Sequence, residues 1–158
     1  MKCFRLLMGM MLALAGALVL AGPEAPQTIG PARVYQTSGD YQTIKAFLLA
    51  EIRGRGLVVN RIGDVNDMLG RTAGAVGATV TAYRHAEAIL FCKADLSHNI
   101  TNANIHNIVL CPYSIVIYEP RSRPGTVFLG YRGTGSELPA VRIINRLLDE
   151  IIQQVVDM

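Results

Sequence analysis

Two cysteines and two histidines set out the chemistry open to this chain. Cys92 and Cys111 bracket a loop of roughly twenty residues, which also holds His98 and His106. Three chemistries use that set. A disulfide would close the loop and remove entropy from the unfolded chain, worth about 3 kcal/mol at this loop size. A working thiol pair would carry electrons or sulfur. For that, Lys93 and a helix N-terminus near Asp95 to Ser97 would lower the Cys92 pKa, as a reactive thiol requires. Against it, the chain has no Cys-x-x-Cys spacing. Metal or haem held through Cys92, Cys111, His98 and His106 is the weakest of the three, because the spacing matches no established zinc pattern.

The remaining polar candidates carry less. His85 and Glu87, two apart on a strand, share a face, but nothing beside them reads as a nucleophile. Arg121 and Arg123 flank a turn and read as a solvated hairpin tip. The glycines from Gly130 to Gly135 lack the strand-loop-helix context of a phosphate cradle, which excludes nucleotide binding of that type. Asn99, Ile100 and Thr101 form only a formal glycosylation acceptor.

The N-terminus reads as an address. Lys2 and Arg5 precede an apolar run from Leu6 to Ala21, interrupted only by Gly9 and Gly16. A basic start, a short apolar stretch and small residues at its end (Val19, Ala21) make residues 1–21 a secretory signal peptide, cut after Ala21. The expected location is periplasmic or secreted, which favours an oxidised cysteine pair once Cys3 has been removed. The full chain has 158 residues with 15 Lys+Arg against 12 Asp+Glu. The cut removes two bases and no acid, so the mature domain is near neutral and offers no electrostatic ground for nucleic-acid binding. No membrane span is expected after the cut. A homodimer is left open.

The elements that must position these residues follow from periodicity. Residues 22–31, with Pro23, Pro26 and Pro31, read as a disordered lead-in, and residues 32–158 as one domain. Ala32–Thr37 reads as a strand. Ile44, Phe47, Leu48 and Ile52 recur at helical spacing, with Ser38 or Asp40 as cap and Gly54 and Gly56 as stop. Leu57–Ile62 reads as a strand and Asp64–Arg71 as a brief helix. Ala86–Cys92 is a buried strand, and Leu96–Ile105 a short helix or irregular loop. Ser114–Tyr118 and Thr126–Tyr131 make a hairpin around Pro120–Gly125. Ser136 is expected to cap a last helix, with Glu137 in its first turn and a stripe of Val141, Ile144, Leu147, Leu148, Ile151, Ile152 and Val155.

The stretch from Glu87 to Cys92, then Cys111-Pro112, Ile115 to Glu119 and Gly125 to Val127, resembles the family called domain of unknown function 302. The helix before it and Gly56 to Val59 fit that family's opening. Two positions of the pattern are cysteine here, which marks a secreted subgroup. The resemblance implies an α+β fold: an antiparallel sheet of four to five strands with helices packed on one face, similar in architecture to the TATA-binding-protein fold, with no DNA-binding claim attached. The antiparallel order it implies would bring the end of one cysteine-bearing strand beside the start of the other, within reach of a disulfide. The expected function is a non-enzymatic binding or accessory domain of the envelope, for an unknown small ligand or envelope protein, stapled by Cys92–Cys111 and without a cofactor. The alternative is a thiol redox or sulfur-handling protein using the same pair.

Overall fold

The computed structural model describes residues 25–133 and 138–158. The expected signal peptide therefore lies outside the described residues, as do the expected cap Ser136 and its neighbour Glu137. The strands are β1 (Gln27–Ile29), β2 (Ala32–Ser38), β3 (Val58–Asp64), β4 (Tyr83–Cys92), β5 (Tyr113–Pro120) and β6 (Thr126–Arg132). The helices are α1 (Tyr41–Gly54), α2 (Val65–Thr72), α3 (Ala94–Ala103) and α4 (Pro139–Val156), with 3-10 turns at Ala73–Val76 and Ile105–Leu110. Among the described residues no helix is long and apolar enough to cross a membrane. The strands form one antiparallel sheet in the order β1-β2-β6-β5-β4-β3.

The sixth strand comes from the lead-in. Its prolines predict disorder, yet Gln27–Ile29 pairs with Ala32–Val34 around a tight Gly30-Pro31 turn. Gly30 sits at φ +57, where a side chain would be strained. The prolines that mark this stretch as irregular fall on either side of the three-residue strand rather than within it.

Each helix is bounded by local chemistry. Asp40 caps α1 by accepting from the Thr43 backbone N–H at 2.9 Å, and Asp64 caps α2 in the same way from Asp67. The C-terminus of α1 closes in a Schellman motif. Gly56 at φ +74 donates to the Arg53 carbonyl, and Leu57 donates to the Ile52 carbonyl. That leaves Leu57 buried against the helix it has just left. For α4 the N-cap is Leu138, which makes no side-chain cap bond, and Pro139 stands in the first turn where its missing N–H costs nothing.

Helices α1 and α4 pack together on one face of the sheet. That core holds Leu48 and Ile52 from α1, Ile151 and Ile152 from α4, and Ile89, Phe91, Ile115, Ile117, Val127 and Leu129 from the strands, all fully buried. Two residues of α1 change place relative to the expected stripe. Phe47 points outward, 47 % exposed, and Tyr41 takes a buried position. A helix turns 100° per residue, so an apolar residue on the flank of a stripe can lose its place to a neighbour that fits the sheet better.

Register puts the opposite side chains of the same strands on the other face. Val34, Gly130, Val116 and Ala88 lie in one row across β2, β6, β5 and β4. Helix α2 borders this face through its contacts with β4, and its side chains are not buried.

Candidate functional site

The cysteines meet at one end of the sheet. Cys92 ends β4, and Cys111 stands two residues before β5, joined to Pro112 by a cis peptide bond. The β4–β5 pairing is antiparallel and reaches Phe91 opposite Tyr113, so the two cysteines come together as the strand ends require. Both are free thiols, half-buried, and Cys111 lies within hydrogen-bonding reach of Cys92. The Cys111 thiol also donates to Ser97 Oγ at 3.5 Å, and Ser97 Oγ lies 3.4 Å from the Tyr113 hydroxyl. The group is a small polar cluster of two thiols, a serine and a tyrosine under the first turn of α3.

Its electrostatics run against an activated nucleophile. Burial, then the neighbouring Cys111 thiol, pushes the Cys92 pKa up, and the backbone N–H of Tyr113 offsets this in part. The α3 N-terminus does follow Cys92 directly, but Lys93 reaches Asp95 at 3.8 Å and does not figure among the influences on the thiol. Burial likewise lifts the Tyr113 phenol to about 12, opposed by its contact with Ser97. The expected tuning of Cys92 by Lys93 is thus replaced by the opposite shift.

The histidines go elsewhere. His98 lies within α3 and His106 in the 3-10 turn that follows, and among the described residues no three His, Cys, Asp or Glu side chains gather where a metal ion could be held. His85 stacks on Tyr41 with ring centroids 4.5 Å apart, and its Nε2 stands 3.9 Å from Glu119 Oε2. Glu119 is buried on the strand next to it and accepts from the Gly125 backbone N–H at 2.8 Å, which ties the hairpin loop. The carboxylate facing His85 is therefore Glu119 rather than Glu87, which pairs instead with Lys45. Arg121 and Arg123 sit at the solvated hairpin tip as expected, and each also has a protein partner. Arg121 donates to the Thr81 carbonyl at 3.1 Å, and Arg123 donates to Gln36 and lies over the Phe128 ring.

The feature no motif announces is a cavity of about 710 Å³. It borders the middle strands β5 and β6 at the end of the sheet where β5 begins and β6 ends. Strands β5 and β6 share register only from Val116 to Tyr118, opposite Gly130 to Phe128. Beyond that, Tyr113–Ile115 pair with β4, while Tyr131 and Arg132 pair with β2. The walls come from both faces: Val34, Ser114, Val116, Tyr118 and Gly130 on the open side, and Tyr113, Tyr131, Ile144, Asn145 and Leu148 toward α4. Val65 and Leu69 of α2 and Val109 and Leu110 of the 3-10 turn complete it. Gly130 is there for a steric reason, because a Cβ would stand 2.9 Å from the Arg33 carbonyl oxygen.

Tyr131, on the cavity wall, is held by a carboxylate that is not itself among the described lining residues. Asp149 of α4 accepts from the Tyr131 hydroxyl at 2.8 Å and from the Tyr35 hydroxyl, and pairs with Arg33 at 3.2 Å. Burial, followed by the bond to Asp149, raises the pKa of both tyrosines far above the ordinary phenol value. Tyr118, also on the cavity wall, has a pKa raised by burial and then by Tyr83, and its hydroxyl has no hydrogen-bond partner among the described residues.

One six-stranded antiparallel sheet with two helices packed on one face defines the class: an α+β domain. The fold is similar to the crystal structure of an uncharacterized conserved DUF302 protein from Bacillus stearothermophilus, with a TM-score of 0.61 at 14 % identity over 82 % of this chain and 98 % of that one. That likeness supports the α+β architecture implied by the sequence resemblance. No family model and no curated protein matches the sequence.

Proposed function

We propose that this chain is an exported, non-enzymatic binding domain that receives a small, largely apolar molecule in the cavity lined by β5, β6 and their neighbours. The observation that carries the reading is the cavity itself. Its volume of about 710 Å³ lies within the range that holds drug-sized ligands, and its walls are aliphatic and aromatic with a few polar groups at defined places. The export part of the proposal rests on residues 1–21 and their basic-then-apolar pattern.

Titration of the full chain with the uncharged fluorophore Nile red tests the binding reading. Saturable fluorescence enhancement is expected. Val116→Phe or Ser114→Phe, each placing a ring in the chamber, is expected to abolish it while the circular dichroism spectrum stays native. Equal enhancement in both folded variants would exclude the cavity as the site. For export, the N-terminus of protein recovered from the host envelope is expected near Gly22.

The cysteine pair enters the proposal as a staple. The adjacency of the thiols favours a Cys92–Cys111 bridge in an oxidising compartment, and the raised Cys92 pKa disfavours the rival reading as a thiol redox or sulfur-handling centre. A reduction potential below about −300 mV is expected for a bridge of this structural kind, whereas a markedly higher value would favour the rival.

A further inference from the structure

The charge of the cavity walls bears on the chemistry of an occupant. Among the described lining residues there is no Asp, Glu, Lys or His, and the one charged side chain is Arg132, at the end of β6. Three other cations near the sheet are already engaged: Arg33 with Asp149, Arg84 with Glu119, Lys45 with Glu87. The side chain of Arg132 has no ion pair or hydrogen bond among the described residues. Asn145, on the α4 wall, likewise has no side-chain hydrogen bond there. An apolar cavity bordered by one unpaired guanidinium among the described residues is complementary to a molecule with an apolar body and a single negative charge.

We infer that the cavity binds a monocarboxylate amphiphile, with the carboxylate on Arg132 and the apolar body in the chamber. This rests on the cavity being a binding site. A guanidinium meets a carboxylate with two parallel N–H donors, a match that a point cation does not offer. A phosphate monoester carries close to two negative charges, one more than the wall supplies, and would leave the excess facing apolar side chains. A cationic head would be repelled by Arg132, and a neutral one would forgo the charge-assisted bonds.

The test uses the full chain and two probes of the same body, dansyl-labelled undecanoic acid and its methyl ester. The acid is expected to bind about tenfold more tightly than the ester, as one charge-assisted contact implies. Arg132→Gln is expected to remove that preference by weakening acid binding about tenfold, with the thermal midpoint unchanged, since Arg132 is exposed at a strand end. Arg132→Lys is expected to restore part of it. Equal affinity for acid and ester, or a preference that survives Arg132→Gln, would overturn the assignment of the head group and leave the cavity standing as an apolar site. Failure of both probes to bind would overturn the cavity reading and this inference together.

Discussion

The two faces of the sheet obey different rules. On the face under α1 and α4, Tyr35 and Tyr131 both give their hydroxyl protons to Asp149, whose other oxygen pairs with Arg33. On the open face, among the described residues, Tyr118 has no such partner and Arg132 no counter-ion. A buried polar group without a partner costs free energy, so the covered face is organised for stability. The open face keeps polar groups and volume unspent, which is what a binding surface needs and a core avoids.

That contrast can be broken by measurement, and the largest effect belongs to the covered face. Ile152→Ala removes a fully buried side chain between α4 and the sheet and is expected to cost about 2–5 kcal/mol in urea unfolding. Val116→Ala, at a half-buried position across the same sheet, is expected to cost under about 1 kcal/mol. Similar losses at the two sites would erase the distinction between the faces.

The cysteine pair comes next. Oxidising Cys92 and Cys111 is expected to raise stability by about 2–4 kcal/mol, read as a shift of the urea midpoint with and without reductant. Cys111→Ala should abolish the shift. An unchanged midpoint in the wild type would mean that no bridge forms or that bridging strains the strand ends.

A smaller effect is expected at Asp149. Replacing Tyr131 by Phe removes one hydrogen bond to a charged acceptor, with an expected loss of about 1.5–3 kcal/mol by thermal unfolding. Tyr118→Phe, which breaks no bond among the described residues, should stay within about 0.5 kcal/mol of wild type. The pH dependence has a definite sign. Tyr35 and Tyr131 have pKa values raised in the folded state above the ordinary value of 10.0. Above that pH the unfolded chain releases the phenolic protons while the folded one retains them. Their contribution is therefore complete below about pH 10 and is lost as pH rises beyond it. Wild-type stability should fall across that range more steeply than that of the Tyr35→Phe, Tyr131→Phe double variant. Parallel curves would show that the Asp149 cluster does not hold those protons.

Much of the frame is legible in the residues themselves. Asp40 and Gly56 announce the two ends of α1 through capping and left-handed backbone chemistry, both local effects that act within a few residues. The hairpin around Pro120–Gly125 and the long apolar stripe of α4 are equally local signals. Where local signals mislead, a distant partner decides the matter. Gln27–Ile29 is a strand because β2 offers it a free edge, and Phe47 turns outward because the face of α1 that meets the sheet is the one carrying Tyr41, Ile44, Leu48 and Ile52.

The site is the least legible part, and the reason is physical. Sequence alone determined that Cys92 and Cys111 stand at strand ends, and the cysteines do meet there, because an antiparallel pair brings consecutive ends together. It did not determine the sign of the Cys92 pKa shift. Lys93 and a helix N-terminus argue for a lowered value, but the balance between charge and desolvation depends on burial, which only the packed chain sets. The cavity leaves no trace in any motif. Its walls join residues of β2, β5, β6, α2 and α4 that are far apart in the chain, and their meeting is a property of packing between segments, not of any one segment. Residue types and their short-range spacing specify caps, turns and amphipathic faces. Which polar groups find partners across the fold, and which are left facing an empty volume, is decided only when the strands are laid side by side.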